Sequence, residues 1–104
     1  MSSFENVTVT RQANVYFEGH VTSRTIQFAG GAIKTLGVML PGEYKFGTDK
    51  AEIMEIQSGE VSVLLPDERQ WKSYSAGEQF SVKANASFQI KALTITDYCC
   101  SFID

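Results

Sequence analysis

Histidine is nearly absent from this chain, since His20 is the only one among 104 residues. A transition-metal site of three imidazoles and a carboxylate therefore cannot be assembled. A Ser-His-Asp hydrolase would need His20 beside a nucleophile, and the sequence contains no G-x-S-x-G elbow. We predict a site that holds no metal and interpret His20 as a surface residue.

Long apolar runs, cysteine and excess positive charge are also scarce. No stretch approaches the roughly 20 apolar residues of a membrane-spanning helix, and Met1 to Gln12 has no apolar core of a signal peptide. The only two cysteines, Cys99 and Cys100, are adjacent, so in a strand they point to opposite faces and are not expected to form a bridge. The net charge of −3 argues against a nucleic-acid-binding surface. We expect a cytoplasmic protein that binds neither membrane nor nucleic acid.

Helical periodicity is missing as well, because no window of about 11 residues or more repeats apolar side chains at helical spacing. Turn residues instead recur about every 8 to 12 residues, which is typical of an all-β sandwich or barrel. The length of 104 residues and the lack of a long linker predict one domain over residues 1–104. Residues 1–12 are expected to be a loose end or part of a dimer interface.

The stretch from Glu52 to Pro66 is the centre of this β pattern. Apolar and polar residues alternate on both sides of Ser58-Gly59, which predicts two antiparallel strands paired across a tight turn. Glu52 shares its face with Met54, although a charge on a core-facing position is costly unless it is paired or used. Glu52 is therefore the first candidate for a functional residue.

The spacing of several residues resembles the cupin barrel, a jelly-roll-like antiparallel β-barrel. Gly42, Glu52 and Gly59 correspond to the two glycines and the glutamate of the first cupin motif. The metal-binding histidines are missing, because Phe46 lies near the histidine positions of that motif and Phe88 replaces the histidine of the second. The resemblance implies an all-β, single-domain cupin without the usual metal.

Longer runs of the sequence resemble one family of small bacterial cupins. In chain order these runs are Tyr16-Phe17, TLGVMLPGEYKFGT (35–48), MEIQSG (54–59), VLLP (63–66), Trp71, SAGEQFSV (75–82), ANASF (84–88) and Asp97-Tyr98-Cys99. Together they resemble the pyrimidine/purine nucleoside phosphorylase family. The resemblance implies phosphorolysis: a purine or pyrimidine nucleoside and inorganic phosphate give free base and ribose 1-phosphate, with no cofactor. It also implies a homodimer, to which the strand-rich segment from Val7 to Phe17 is a plausible contributor.

Three needs of such a reaction suggest candidate residues. Cleavage at a ribosyl carbon passes through a cation-like sugar, for which Glu52 would supply negative charge or bind ribose hydroxyls. Thr48 could donate a hydrogen bond to phosphate or sugar, and its alternative role is a turn-capping hydroxyl. Phosphate calls for a cation, and among Lys34, Lys45 and Arg24 the first is favoured because it precedes the TLGVM run.

The leaving base suggests aromatic candidates, since every base has a face on which a ring can stack. Tyr44, Phe46 and Phe88 could stack on the base and would tolerate different bases, and Met54 would form part of the pocket wall. The alternative is that these side chains are ordinary barrel core.

Two other functions stay open. A metal-less cupin could bind or sense a small ligand without turnover, a reading supported by Glu52 standing without histidine partners. The barrel could also have only a structural role through dimerisation. An enzyme should consume nucleoside only when phosphate is present, whereas a sensor should bind its ligand and leave it intact.

Overall fold

The computed structural model describes residues 2–103, which form two antiparallel β-sheets. The strands are β1 (Thr8–Val9), β2 (Asn14–Tyr16), β3 (Val21–Gln27), β4 (Ile33–Met39), β5 (Gly42–Thr48), β6 (Ala51–Ser58), β7 (Glu60–Leu64), β8 (Lys72–Ser75), β9 (Gln79–Val82), β10 (Ala86–Ala92) and β11 (Thr96–Ile103). One 3-10 turn, Phe17–Gly19, follows β2. In this range no helix is long and apolar enough to cross a membrane. The prediction of an all-β fold is confirmed.

The two sheets divide the strands unequally. The larger sheet has seven strands in the order β1-β3-β4-β11-β6-β9, with β2 pairing along the same side of β3 as β1. The smaller sheet has four strands in the order β5-β10-β7-β8. All the pairings are antiparallel, and β11 lies between β4 and β6. Neighbours in both sheets are therefore mostly distant in the sequence.

The core lies between the sheets and follows from the period of two along each strand. Met54 and Ile56 of β6 are buried against the inner face of the smaller sheet, which contributes Val61, Val63 and Ile90. The side chains between these positions point outward. They are mostly polar on the smaller sheet, whereas the outer face of the larger sheet also carries apolar side chains such as Ile26 and Val38.

The predicted turn at Ser58-Gly59 exists, but the strands on either side of it do not pair. Gly59 has the left-handed backbone expected there, with φ of 95°. However, β6 pairs with β11 and β9 in the larger sheet, whereas β7 pairs with β10 and β8 in the smaller one. The prediction of a hairpin was wrong, because alternation and a turn glycine also fit a chain that crosses from one sheet to the other.

Candidate active site

A cavity of about 820 Å³ lies between the sheets. Both sheets and two turns contribute to its lining, which consists of Tyr16, Ser23, Gly30, Gly31, Ala32, Ile33, Thr35, Met39, Phe46, Gly47, Asp49, Lys50, Glu52, Met54, Phe88, Tyr98, Cys100 and Phe102. The β3–β4 turn (30–32) and the β5–β6 turn (49–50) are exposed and form one end, which we call the mouth. Ser23, Met39 and Tyr98 are buried and form the inner end.

Glu52 lies near the mouth on the inner face of β6, in register with Phe102 of β11. The thiol of Cys100 donates a hydrogen bond to its Oε1 over 3.4 Å. Burial raises the pKa of the Glu52 carboxyl above its ordinary value, and this hydrogen bond only partly opposes the shift. The cavity therefore holds a half-buried carboxyl group whose hydrogen-bond partner is a weak donor.

Hydroxyl groups cover the floor of the cavity on the larger sheet. Ser23, Thr35 and Tyr98 come from β3, β4 and β11 and face inward. Burial strongly raises the pKa of the Tyr98 phenol, and the interaction with the Ser23 side chain partly offsets the shift. Behind Ser23, the side-chain amide of Asn14 donates to its Oγ over 3.2 Å. These groups offer neutral hydrogen-bond donors to a ligand.

The opposite wall is aromatic and belongs to the smaller sheet. Phe46 and Phe88 are stacked, with ring centroids 5.8 Å apart and planes 27° from parallel. The Tyr16 ring meets Phe46 edge-on at 6.0 Å from across the gap between β2 and β5. Met54 adds an apolar side chain from the floor. The cavity thus combines a polar floor with a flat apolar wall, which suits a planar ligand that also carries hydroxyls.

Positive charge reaches the cavity only at the mouth. Among the described residues that line it, Lys50 is the one lysine or arginine. Lys34 faces the outer side of the larger sheet, where its Nζ lies 5.4 Å from the Phe4 ring centroid and 5.8 Å from that of Phe28. The position of Lys34 therefore does not agree with its predicted role as the cation that binds phosphate in the cavity.

The other predicted site residues divide into two groups. Phe46, Phe88, Glu52 and Met54 line the cavity as predicted, although their roles in a reaction stay predictions.

Tyr44 and Thr48 do not line the cavity. The Tyr44 hydroxyl donates to the carbonyl oxygen of Leu40 over 2.6 Å. The Thr48 hydroxyl donates to the carbonyl oxygen of Lys83 over 2.7 Å and accepts from the amide of Ala86 over 3.1 Å. This geometry favours a structural role for Thr48, close to its predicted alternative.

Tyr98, Cys100, Ser23 and Lys50 are lining residues that sequence reasoning missed. A signal existed for two of them, since Tyr98 and Cys100 share one face of a strand by the period of two. Nothing in the sequence shows that this strand lies beside the one carrying Glu52. Lys50 lies in a turn, where the alternation of side chains along a strand does not apply and so cannot predict which way its side chain points.

The usual cupin metal does not fit this cavity. Within residues 2–103 there is no group of three or more His, Cys, Asp or Glu side chains that could hold a metal ion. Phenylalanine rings occupy the wall at positions 46 and 88, and the acidic pair on the floor, Glu52 and Cys100, falls short of a ligand set.

Comparisons with known proteins give a consistent result. A family profile described as "Pyrimidine/purine nucleoside phosphorylase" matches residues 11–102. Proteins of that name from Hydrogenovibrio crunogenus and Geotalea uraniireducens are 62% and 59% identical to this chain, each over 100% of both chains. A solved structure of a protein of unknown function from Acinetobacter sp. ADP1 is 41% identical, with a TM-score of 0.94 over 97% of this chain and 98% of that one. An RmlC-like cupin from Shewanella frigidimarina, 16% identical, has a TM-score of 0.70 over 97% of this chain and 86% of that one, and supports the cupin fold alone.

Proposed function

The chain belongs to the pyrimidine/purine nucleoside phosphorylase family, and on that premise we propose that it transfers the ribosyl group of a nucleoside to inorganic phosphate, releasing the free base and ribose 1-phosphate. In the chemical sense it would be a pentosyl transferase. The relatives' names speak of both pyrimidine and purine nucleosides, and we propose the same breadth here.

The observation that carries this proposal is that one cavity brings together a cation, a carboxylate and an aromatic wall. Lys50 lies at the mouth, Glu52 lies two residues further on at the floor, and the stacked rings of Phe46 and Phe88 form the opposite wall. A cation suits phosphate, a carboxylate suits the sugar, and an aromatic wall suits a base. Phosphorolysis requires a binding group for each of these three parts.

Glu52 would act on the sugar. As the bond between ribose and base breaks, positive charge develops on the sugar ring, and a fixed negative charge stabilises it most where water is excluded. The Cys100 thiol holds one carboxylate oxygen, so the other oxygen is available to ribose hydroxyls. The raised pKa of Glu52 means that activity should rise with pH as this carboxyl ionises.

The aromatic wall would hold the base by its faces. Stacking on Phe46 and Phe88 depends little on which atoms lie at the edge of the base. Loose selectivity between purines and pyrimidines follows from this kind of contact.

We also propose that the reaction needs no metal and that the protein works as a homodimer. The first proposal is supported by the chemistry of the lining side chains. The second is supported by Val15 and Val38, which are 62% and 40% exposed on the outer face of the larger sheet, in register across β3. Light scattering that gives the mass of one chain would contradict the dimer.

The proposed cytoplasmic location fits Cys99 and Cys100, which are free thiols.

The test is base release from uridine and from inosine by EDTA-treated protein, with and without phosphate. Release that requires phosphate and survives the chelator supports both phosphorolysis and independence from metal. Release without phosphate would make the protein a hydrolase. No release from any of several nucleosides would favour the alternative, a cupin that binds a small ligand without turnover.

A further inference from the structure

Tyr98 is a buried polar residue at the inner end of the cavity, and its position depends on the absence of a side chain at Gly37. On β11 it is in register with Gly37 of β4, and Gly37 is in register with Ser23 of β3. A Cβ atom on Gly37 would lie 2.5 Å from the Tyr98 Cζ and 2.6 Å from its hydroxyl oxygen. The ring therefore lies flat across β4 in the space that glycine leaves, and its hydroxyl reaches toward β3.

Two further side chains orient the hydroxyl. The Asn14 amide donates to the Oγ of Ser23 over 3.2 Å and to the Oγ1 of Thr25 over 3.1 Å. The Ser23 side chain in turn interacts with the Tyr98 phenol. This contact holds the hydroxyl beside β3, at the cavity that Tyr98 lines.

The strand register places the backbone of Tyr98 further from the mouth than that of Glu52. Glu52 is in register with Phe102, whereas Tyr98 lies four positions before Phe102 on the same strand, so the two backbone positions are about 13 Å apart along the strand at about 3.3 Å per residue, although the Glu52 carboxyl still acts on the phenol. Lys50 lies at the mouth, on the Glu52 side. With phosphate held at Lys50 and ribose at Glu52, the base occupies the end where Tyr98 lies.

We propose that Tyr98 is a catalytic residue that donates a hydrogen bond to the departing base. This inference rests on the function proposed above. In the step, an oxygen of hydrogen phosphate forms a bond to the ribosyl carbon while the carbon–nitrogen bond breaks and its electron pair moves onto the base. Tyr98 stabilises the negative charge that develops there. The proton carried in by hydrogen phosphate ends on the base, so the phenol is unchanged after each turnover.

The surroundings of Tyr98 suit a donor that keeps its proton. Burial disfavours the phenolate, as do the nearby acidic groups Tyr16, Cys100 and Glu52. The hydroxyl therefore stays a neutral donor across the pH range in which proteins are stable, and hydrogen bonds aimed at developing charge are among the largest catalytic contributions.

The test compares Y98F with Y74F on two substrates, in the presence of phosphate. Tyr74 packs against Phe80 at 4.9 Å and does not line the cavity, so Y74F removes a hydroxyl of the same kind elsewhere. Inosine releases a base that bears negative charge as it departs. 7-Methylinosine releases a neutral base, because its ring already carries a positive charge, and so needs no donor.

For Y98F we expect kcat on inosine to fall about 100-fold or more, with less than a fivefold change on 7-methylinosine. Y74F should behave like the unmodified protein on both substrates, and thermal unfolding of each variant shows whether the fold is retained. S23A, which removes only the orienting hydroxyl, should give a smaller loss of kcat with the same dependence on substrate.

Each of the other outcomes overturns the inference. Full activity of Y98F on inosine would show that the phenol is not needed, while the phosphorylase function would stand. Equal losses on both substrates would place Tyr98 at the sugar or the phosphate. If the unmodified protein releases no base from any nucleoside in the presence of phosphate, the proposed function fails and this inference fails with it.

Discussion

Substituting Glu52 by glutamine removes one negative charge from the cavity and nearly preserves the shape of the side chain. If the carboxylate stabilises the cation-like sugar, E52Q should lose about 10²- to 10³-fold in kcat/KM, or about 2.7–4 kcal/mol of transition-state stabilisation, the range found when one electrostatic contact to a transition state is removed. The half-buried site favours the upper part of this range, because charges interact more strongly where water is excluded.

The same substitution should act on stability in the opposite direction. Desolvation raises the pKa of Glu52 in the folded protein, so the folded state holds this proton more tightly than the unfolded chain does. The contribution of the carboxyl to folding is complete below its ordinary pKa and is lost as the pH rises through the raised value. Glutamine resembles the protonated form at every pH. E52Q should therefore unfold at a temperature at least as high as the unmodified protein at pH 8, and the difference should vanish near pH 4.

The assay is phosphate-dependent base release from uridine, together with thermal unfolding at both pH values. E55Q is a matched control, because Glu55 lies on the same strand and interacts with Cys99 on the outer face, as Glu52 does with Cys100 on the inner face. E55Q should retain full activity. An E52Q protein with activity within threefold of the unmodified one would refute the assignment of Glu52, and a clear loss of stability at pH 8 would refute the argument from burial.

Three other changes test separate parts of the structure. K50M should raise KM for phosphate about 10- to 100-fold, since a charge-assisted hydrogen bond contributes about 1.5–3 kcal/mol; an unchanged KM would place phosphate elsewhere. T48V should lower the free energy of unfolding, measured by denaturant titration, by about 1–3 kcal/mol, because two backbone groups lose their hydrogen-bond partner. The KM for uridine should stay unchanged, and a raised KM would show that Thr48 contacts the substrate. Burial raises the pKa of Cys99 to about 11 and also raises that of Cys100. The folded protein should therefore react with a thiol-specific disulfide reagent at pH 8 far more slowly than the denatured chain, and fast reaction would contradict the buried location of the two thiols.

Most of the strand positions could be predicted from the sequence, because a strand at the edge of a core shows its period of two locally. In Gln79–Val82, for example, buried Phe80 and Val82 alternate with exposed polar residues. The pairing could not be predicted in the same way. One partner of β6 is β11, about 45 residues further on, and a turn glycine such as Gly59 carries no information about which sheet the chain enters next.

The candidate site was predictable where a residue broke a pattern. Glu52 was found because a carboxylate occupied an apolar position, and its position on the cavity floor agrees with that reasoning. Lys34 was favoured by its neighbours in the sequence, although Thr35 and Met39 face the cavity and place position 34 on the opposite face. Tyr98 looked like any aromatic strand residue, since its importance depends on the space above Gly37.

The position of β11 has a consequence for how the protein is made. This strand follows all the others in the described chain, yet it lies in the middle of the larger sheet between β4 and β6. Until it leaves the ribosome, those two strands present unpaired edges that can associate with other chains. Folding must also wait for contacts between distant segments, which makes it slow for a domain of this size. Because β11 carries Tyr98 and Cys100, a nascent chain lacking it would miss the central strand of the cavity floor and the hydrogen-bond partner of Glu52. Cells that produce truncated chains should therefore accumulate aggregate rather than partly active protein.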